Sequence, residues 1–412
     1  MPWMETCAVD ERMGFVVAAR RGEESVCRLC RRFGISRKTG NKWLARYERF
    51  GAEGLKDRSR RPRHSPHAVS EDIVDRCLAV RRRHPSWGPR KVRAWLLLDD
   101  PARAWPAAST IGDMFDRAGL TVRRRRRHRT PAYSAPFAAC GSANDVWTID
   151  FKGWFRTGDG RRCDPLTVLD ACARYLLRCQ VLPRLDFAHV WPVLEAAFRE
   201  YGLPSALRSD NGAPFASGAA GGLSRLAVCV IQAGVVPERI APGHPEQNGR
   251  HERLHLTLQQ DTANPPAATL RAQSERLRRF QRIYNEERPH EALDQTPPAR
   301  HYQPSSRPWD GVLRAPALDE AVDKRHVRKD GAIKWHGRMV YINENLAGEW
   351  LGLEEIADGL SELCYGPIIL GHLKPRGRKL IRNAAGRGLV DNAKALPTTP
   401  PPQQPRRPEN KQ

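Results

Sequence analysis

The 412-residue sequence has no apolar run long enough to cross a membrane. A spanning helix needs about 18 consecutive apolar residues. Runs such as LAVCVIQAGVV, at 226–236, are broken by Gln232 and Gly234. No stretch resembles a secretion leader, so a cytoplasmic setting and no membrane partner are expected. Cysteine pairs are also scarce. The ten cysteines are scattered, which suits reduced thiols. One C-x-x-C occurs, Cys27 and Cys30, with no second ligand pair at zinc spacing, and it reads as packing within a helix. Acidic residues are outnumbered, 46 against 69 Lys and Arg, for a formal charge of +23. The excess is mostly Arg, whose guanidinium fork matches phosphate oxygens in two-point contacts, so a nucleic acid is the expected partner.

Residues 1–54 read as a helix-turn-helix domain. RMGFVVAARRG carries an apolar stripe, and SVCRLCRRFGISRKTGNKWLARYERFG follows it. Gly34 sits in the turn, Ser36 is placed to cap the next helix, and Trp43, Leu44 and Tyr47 have helical spacing. The first turns of that helix present Arg37, Lys38, Thr39, Asn41 and Lys42, positions from which recognition helices reach base edges and phosphates. Residues 55–69 read as a basic linker. Residues 70–121 contain three short helices, a second helix-turn-helix-like domain. Residues 122–142 form a basic arm, in which VRRRRRHR places Arg124, Arg125 and Arg126 for DNA contact.

From 143 to 305 the pattern is mixed. DVWTIDFKGWF and CDPLTVLDACARYLLRCQVL predict three antiparallel strands, and a helix follows over 187–202 with Gly202 ending it. PSALRSDNG predicts a fourth strand, after which helices alternate with a short strand. Residues 320–378 read as a small β-barrel. The Pro/Gln-rich 379–412 reads as a disordered tail. The fold class expected is α/β multidomain: helical helix-turn-helix modules, a mixed-sheet core and a C-terminal barrel.

Asp150 falls within the first core strand, and Asp210 ends the fourth. If those strands are neighbours, both carboxylates emerge at one edge of the core. A third acid on a helix packed there would complete a hard-oxygen site suited to Mg²⁺ or Mn²⁺ rather than zinc. Two acids compete for that place: Glu246 in the loop HPEQNG, and Glu252 in NGRHERLHLTL. Asp170 is expected to cap the strand turn or pair with Arg174. The glycine-rich ASGAAGGLS, 216–224, reads as a flexible loop near the site.

Taken together, WTIDFKG, LRSDNGAPF and GHPEQNGRHERLHLTL resemble the integrase core of DDE recombinases. The nearest likeness is to bacterial insertion-sequence transposases with a retroviral-integrase-like catalytic core, over residues 140–305. The resemblance implies a ribonuclease-H-like fold and two divalent ions, Mg²⁺ or Mn²⁺. It implies DNA cleavage followed by strand transfer, with no covalent protein–DNA intermediate. The family's glutamate stands on a helix just after an NG loop, which selects Glu252, so Asp150, Asp210 and Glu252 are the implied catalytic and metal-holding residues. His244, Gln247 and Asn248, with Asn211 and Gly212, would flank the site and approach DNA. Family members often carry Lys or Arg seven residues after the glutamate. Gln259 stands there, still able to hydrogen-bond a phosphate or base. The implied partners are double-stranded DNA, as element ends and target, and further copies of the chain assembled on it. A DNA-binding regulator with an unreactive core and a nuclease that cuts without joining are the other readings of the same residues.

Overall fold

The computed structural model describes residues 7–59, 69–121, 140–240, 249–320, 322–377 and 379–381. The basic arm with Arg124, Arg125 and Arg126, the loop with His244, Glu246, Gln247 and Asn248, and nearly all of the tail lie outside the described residues.

The chain divides into two compact units, residues 1–68 and 69–412. The first holds α1 (Ala8–Arg21), α2 (Val26–Arg32) and α3 (Arg37–Phe50). Gly34 turns the chain between α2 and α3 at φ +63°, a conformation that glycine adopts without strain. The Ser36 hydroxyl accepts from the Thr39 N–H at 3.1 Å, the expected N-cap. Phe15, Val16, Leu29, Cys30, Trp43 and Leu55 form the core. Gly40 lets α3 approach, because a Cβ there would lie 2.5 Å from the Cys30 sulfur. Cys30 is thus a packing residue, and all ten cysteines are free thiols.

The second unit begins with α4 (Glu71–Arg83), α5 (Pro89–Asp99) and α6 (Ala108–Arg117). They close around Cys77, Trp87, Val92, Leu96, Ile111 and Phe115. This trio is fixed to the segment that follows α10 (Leu270–Arg282): Arg83 pairs with Glu287 at 2.9 Å, Lys91 donates to the Pro289 carbonyl, and Ile283 packs into the trio's core. Two histidines are buried along this seam. His84 is pushed down to about 4 by burial and then by Arg83, Arg288 and Arg279; His290 is pushed down to about 3 by burial and then by Lys91, Arg288 and Arg174. The unfolded chain takes up these protons near pH 6.5 and the folded chain only well below it, so stability present above pH 6.5 is lost as pH falls. Each histidine should contribute up to about 2 kcal/mol of loss by pH 5, before most carboxylates titrate. A thermal melt of this unit should move to lower temperature between pH 6.5 and 5, and His84→Gln should flatten that slope; a pH-independent melt would contradict the assignment.

The central sheet runs β2-β3-β1-β5-β6, with β4 paired to β3. The strands are β1 (Val146–Phe151), β2 (Phe155–Arg156), β3 (Arg162–Asp170), β4 (Leu176–Leu182), β5 (Ala206–Ser209) and β6 (Val236–Arg239). β1, β3 and β4 form the expected antiparallel trio, while β5 joins β1 and β6 joins β5 in parallel. Alternate residues serve opposite faces. Trp147, Ile149, Leu166, Val168 and Leu207 pack against Val190, Leu194, Phe198, Leu226 and Val230 of α7 (Phe187–Tyr201) and α8 (Arg225–Gln232). Leu169, Leu176 and Cys179 meet Leu254, Leu258, Leu277 and Phe280 of α9 (Gly249–Thr262) and α10. The result is a helix–sheet–helix sandwich.

The C-terminal strands form a four-stranded sheet, β12-β11-β10-β7, and a separate hairpin, β8–β9, over one shared core. The strands are β7 (Asp323–His326), β8 (Ala332–Trp335), β9 (Arg338–Tyr341), β10 (Trp350–Ala357), β11 (Leu360–Tyr365) and β12 (Ile368–Leu373). The described strands make no closed barrel.

The glycine-rich stretch 216–224 differs from the flexible loop expected of it. It is the seat of this β-module, not a free loop. Ala220 and Leu223 are fully buried in the module's core, and the Asn343 side chain donates to the Leu223 carbonyl at 3.0 Å. A Cβ on Gly221 would lie 2.8 Å from Leu370, so glycine permits the contact.

Candidate active site

Asp150 and Asp210 are brought to the same level of adjacent parallel strands. The ladder pairs Val146 with Ala206, Trp147 with Leu207 and Thr148 with Arg208. Each aspartate lies two residues beyond the last of these pairs, at the carboxyl ends where open α/β sheets place their sites. By strand alternation both belong to the face that α9 covers, since Trp147, Ile149 and Leu207 serve the other one. Both are half-buried.

The turn after β5 is built around its carboxylate. The Gly212 N–H donates to Asp210 Oδ1 at 3.1 Å, and Asn211 Nδ2 donates to the Ile240 carbonyl at 2.8 Å, tying β5 to the end of β6. A Cβ at position 212 would stand 3.2 Å from Asp210 Oδ2. A side chain there would press on the acid, which glycine avoids. Beneath it, Arg208 and Glu238 form a buried ion pair across the β5–β6 ladder, Nη2 to Oε2 at 2.8 Å.

Helix α9 is pinned above Asp150 by a polar cluster. Thr167 is the cross-strand partner of Asp150, and its hydroxyl donates to the Asp150 carbonyl at 3.1 Å. The same oxygen lies 2.9 Å from Nε2 of both His251 and His255. A hydroxyl that donates its one proton must accept from both imidazoles, so both carry the proton on Nε2. Burial holds both rings neutral: His255 is pushed down to about 4, and His251 well below its ordinary value. The motif HERLH also has the spacing of a zinc-protease helix, but here both Nε2 atoms are directed at Thr167. The sequence reading missed these three residues. The helical i, i+4 histidine pair was visible; its partner is 84 and 88 residues away.

Thr167 thus links the Asp150 backbone to the helix that carries Glu252. Thr167→Val leaves two buried N–H groups unpaired and should cost about 1–3 kcal/mol of stability. Were Asp150 to serve the strand transfer that its motif's resemblance implies, the same substitution should also slow that reaction by about 10–100-fold with DNA affinity unchanged. Thr167→Ser should restore the rate. Equal rates in all three proteins would show that the cluster only packs.

Glu252 lies in the first turn of α9 and is exposed. Among the described residues, no three His, Cys, Asp or Glu side chains come close enough to hold an ion. The structure thus sets the two aspartates level and Glu252 on the helix above them, without gathering all three. The donor chemistry of the three acids, hard carboxylate oxygens, is the kind a divalent ion takes. Gln259 is exposed further along α9. In the first unit Arg37, Lys38, Asn41 and Lys42 are exposed on α3, while Thr39 is half-buried against the Ser36 hydroxyl at 2.9 Å. Asp170 is buried and accepts from the N–H groups of Asn144, Cys172 and Ala173, so it caps the turn after β3 through backbone groups.

The chain matches the integrase core domain family over residues 142–245 and, in a second family of that description, over 233–298. A helix-turn-helix domain family matches 11–63, and a homeodomain-like family matches 39–114. The chain is 28% identical over 242 residues to the insertion element IS476 uncharacterized 39.2 kDa protein of Xanthomonas euvesicatoria, covering 58% of this chain and 67% of that one. It is 29% identical over 241 residues to the insertion element IS407 uncharacterized 31.7 kDa protein of Burkholderia multivorans, covering 58% and 82%. Among solved structures, the catalytic core domain of BIV integrase aligns over 39% of this chain and 93% of that one, at 18% identity and a TM-score of 0.30. The family matches place an integrase core domain together with helix-turn-helix domains in this chain, and the two relatives make it similar to bacterial insertion-element proteins.

Proposed function

We propose that this chain is the transposase of a bacterial insertion element, which binds the element's terminal repeats and then cuts and joins DNA. The observation that carries the reading is the matched placement of Asp150 and Asp210 at the ends of β1 and β5, on the face covered by the helix that bears Glu252. Asp150, Asp210 and Glu252 would hold two divalent ions, Mg²⁺ or Mn²⁺, which when bound lower the pKa of an attacking water or 3′-hydroxyl and offset charge on the phosphodiester. The chain's own residues do the rest. Gly212 keeps space open beside Asp210, and the Thr167 cluster fixes the angle of α9. Arg37, Lys38, Asn41 and Lys42 would read the terminal repeat from the recognition helix, with Thr39 shaping its first turn. Gln259, with the basic arm and the loop before α9, would line the DNA path. Holding two ends together calls for more than one copy of the chain on DNA, acting at the nucleoid in the cytoplasm.

The test is a product assay with full-length protein, Mg²⁺ and DNA carrying the element's own ends. Joined strands support the transposase. Nicked fragments alone would favour a nuclease, and sequence-specific binding without any product would favour a regulator.

A further inference from the structure

Trp154 is 56% exposed, whereas Trp43, Trp87, Trp105, Trp147 and Trp335 are buried. It lies just beyond β1, four residues past Asp150, where Gly153 at φ +84° redirects the chain. Two guanidiniums lie over its ring: Arg162 at 5.3 Å from the centroid and Arg156 at 5.7 Å. Arg162 is not a loose side chain. Its Nε and Nη2 donate to the two oxygens of Asp164, at 2.6 and 2.9 Å, and Asp164 is itself buried.

The support beneath the ring is equally fixed. β2 and β3 pair Phe155 with Cys163 and Arg156 with Arg162. The hairpin turn is bolted to the loop before α10: the Gly158 N–H donates to the Ala267 carbonyl at 2.9 Å, and the Asp159 N–H to the Ala268 carbonyl at 2.8 Å. A Cβ on Gly158 would stand 3.0 Å from the Ala268 Cα, so the two backbones are in contact. None of the chemistry assigned to the carboxylates uses this tryptophan, and no core needs it.

An exposed aromatic plane on a hairpin held in place on both sides, with cations over it and just past the strand that carries Asp150, has the makings of a base-stacking platform. Every base offers a π-face, and Arg156 carries a positive charge that suits the adjoining phosphate while Arg162 is held by Asp164, so such a platform takes unpaired nucleotides with little regard to sequence. We propose that Trp154, with Arg156, holds an unpaired base of a DNA strand bound along this hairpin. The inference deepens the DNA-processing reading and rests on it for the identity of the ligand.

The probes are a blunt DNA duplex and the same duplex with an unpaired tail, each with 2-aminopurine at its last nucleotide. They are bound to the full-length chain without divalent metal, so that no reaction occurs. Wild type should bind the tailed duplex about tenfold more tightly than the blunt one and quench its 2-aminopurine. Trp154→Ala should lose both the preference and the quench, with its melting temperature unchanged because the ring is exposed. Trp154→Tyr should keep both. A tail preference and quench that persist in Trp154→Ala, or that wild type never shows, would overturn the platform. Tail binding that depends on Trp154 in a protein that never joins DNA would leave the platform standing and remove the transposase reading. Strand transfer by a wild type that ignores the tail would do the reverse.

Discussion

Glu252→Gln should lower strand transfer by roughly a thousandfold while leaving DNA affinity and thermal stability as they are. The substitution keeps the shape of the side chain and removes its charge. Glu252 is exposed in the first turn of α9 and makes no hydrogen bond or ion pair with a described residue, so the fold should not register the change. What changes is the transition state. A carboxylate that helps hold two cations at a reacting phosphate acts where charge develops, and losing one such group typically costs two to three orders of magnitude. Glu246→Gln, in the preceding loop, should transfer strands like wild type. Strand-transfer rates measured beside gel-shift affinities decide the matter: loss in Glu246→Gln with Glu252→Gln active would move the third acid to the loop.

The largest effect on stability should come from Arg208→Met, at about 3–5 kcal/mol. Arg208 and Glu238 face each other across β5 and β6, with side chains 5% and 8% exposed. Burial pulls the Arg208 pKa down and the Glu238 charge opposes that pull. Removing the arginine strands a carboxylate inside the sheet, and an uncompensated buried charge is costly. Replacing both partners with apolar residues of similar volume should recover most of the loss, because the desolvation of both charges disappears with them. Urea denaturation of the single and double variants tests this. A single variant within 1 kcal/mol of wild type would mean that water reaches the pair.

Much of this fold was legible in the sequence, and the reasons are local. The Gly34 turn and the Ser36 cap need only neighbouring residues, and the alternation of β1 and the turn after Asp210 are short-range patterns as well. The level placement of Asp150 and Asp210 needed one further fact, that β5 lies beside β1 and parallel to it, which the sequence left open. What stayed hidden depends on distant partners. Nothing near residues 216–224 says that Asn343 and Leu370 will close on those glycines. Nothing near Thr167 announces two histidines from a helix more than eighty residues on. The α4–α6 trio reads as a separate module until Lys91 and Arg83 meet the segment after α10. A run of small residues looks mobile in sequence when it is in fact the close-packed face of an interface.

The central claim is that Asp150, Asp210 and Glu252 act as one site. Its most direct test is Mg²⁺-dependent strand transfer by the full chain on DNA carrying the element's ends. Wild type would be compared with Asp150→Asn, Asp210→Asn, Glu252→Gln and the triple variant. Groups that work as a unit are strongly non-additive, so each single variant should fall to the level of the triple. Losses that multiply from single to triple, or any single variant that joins DNA at the wild-type rate, would contradict a shared site.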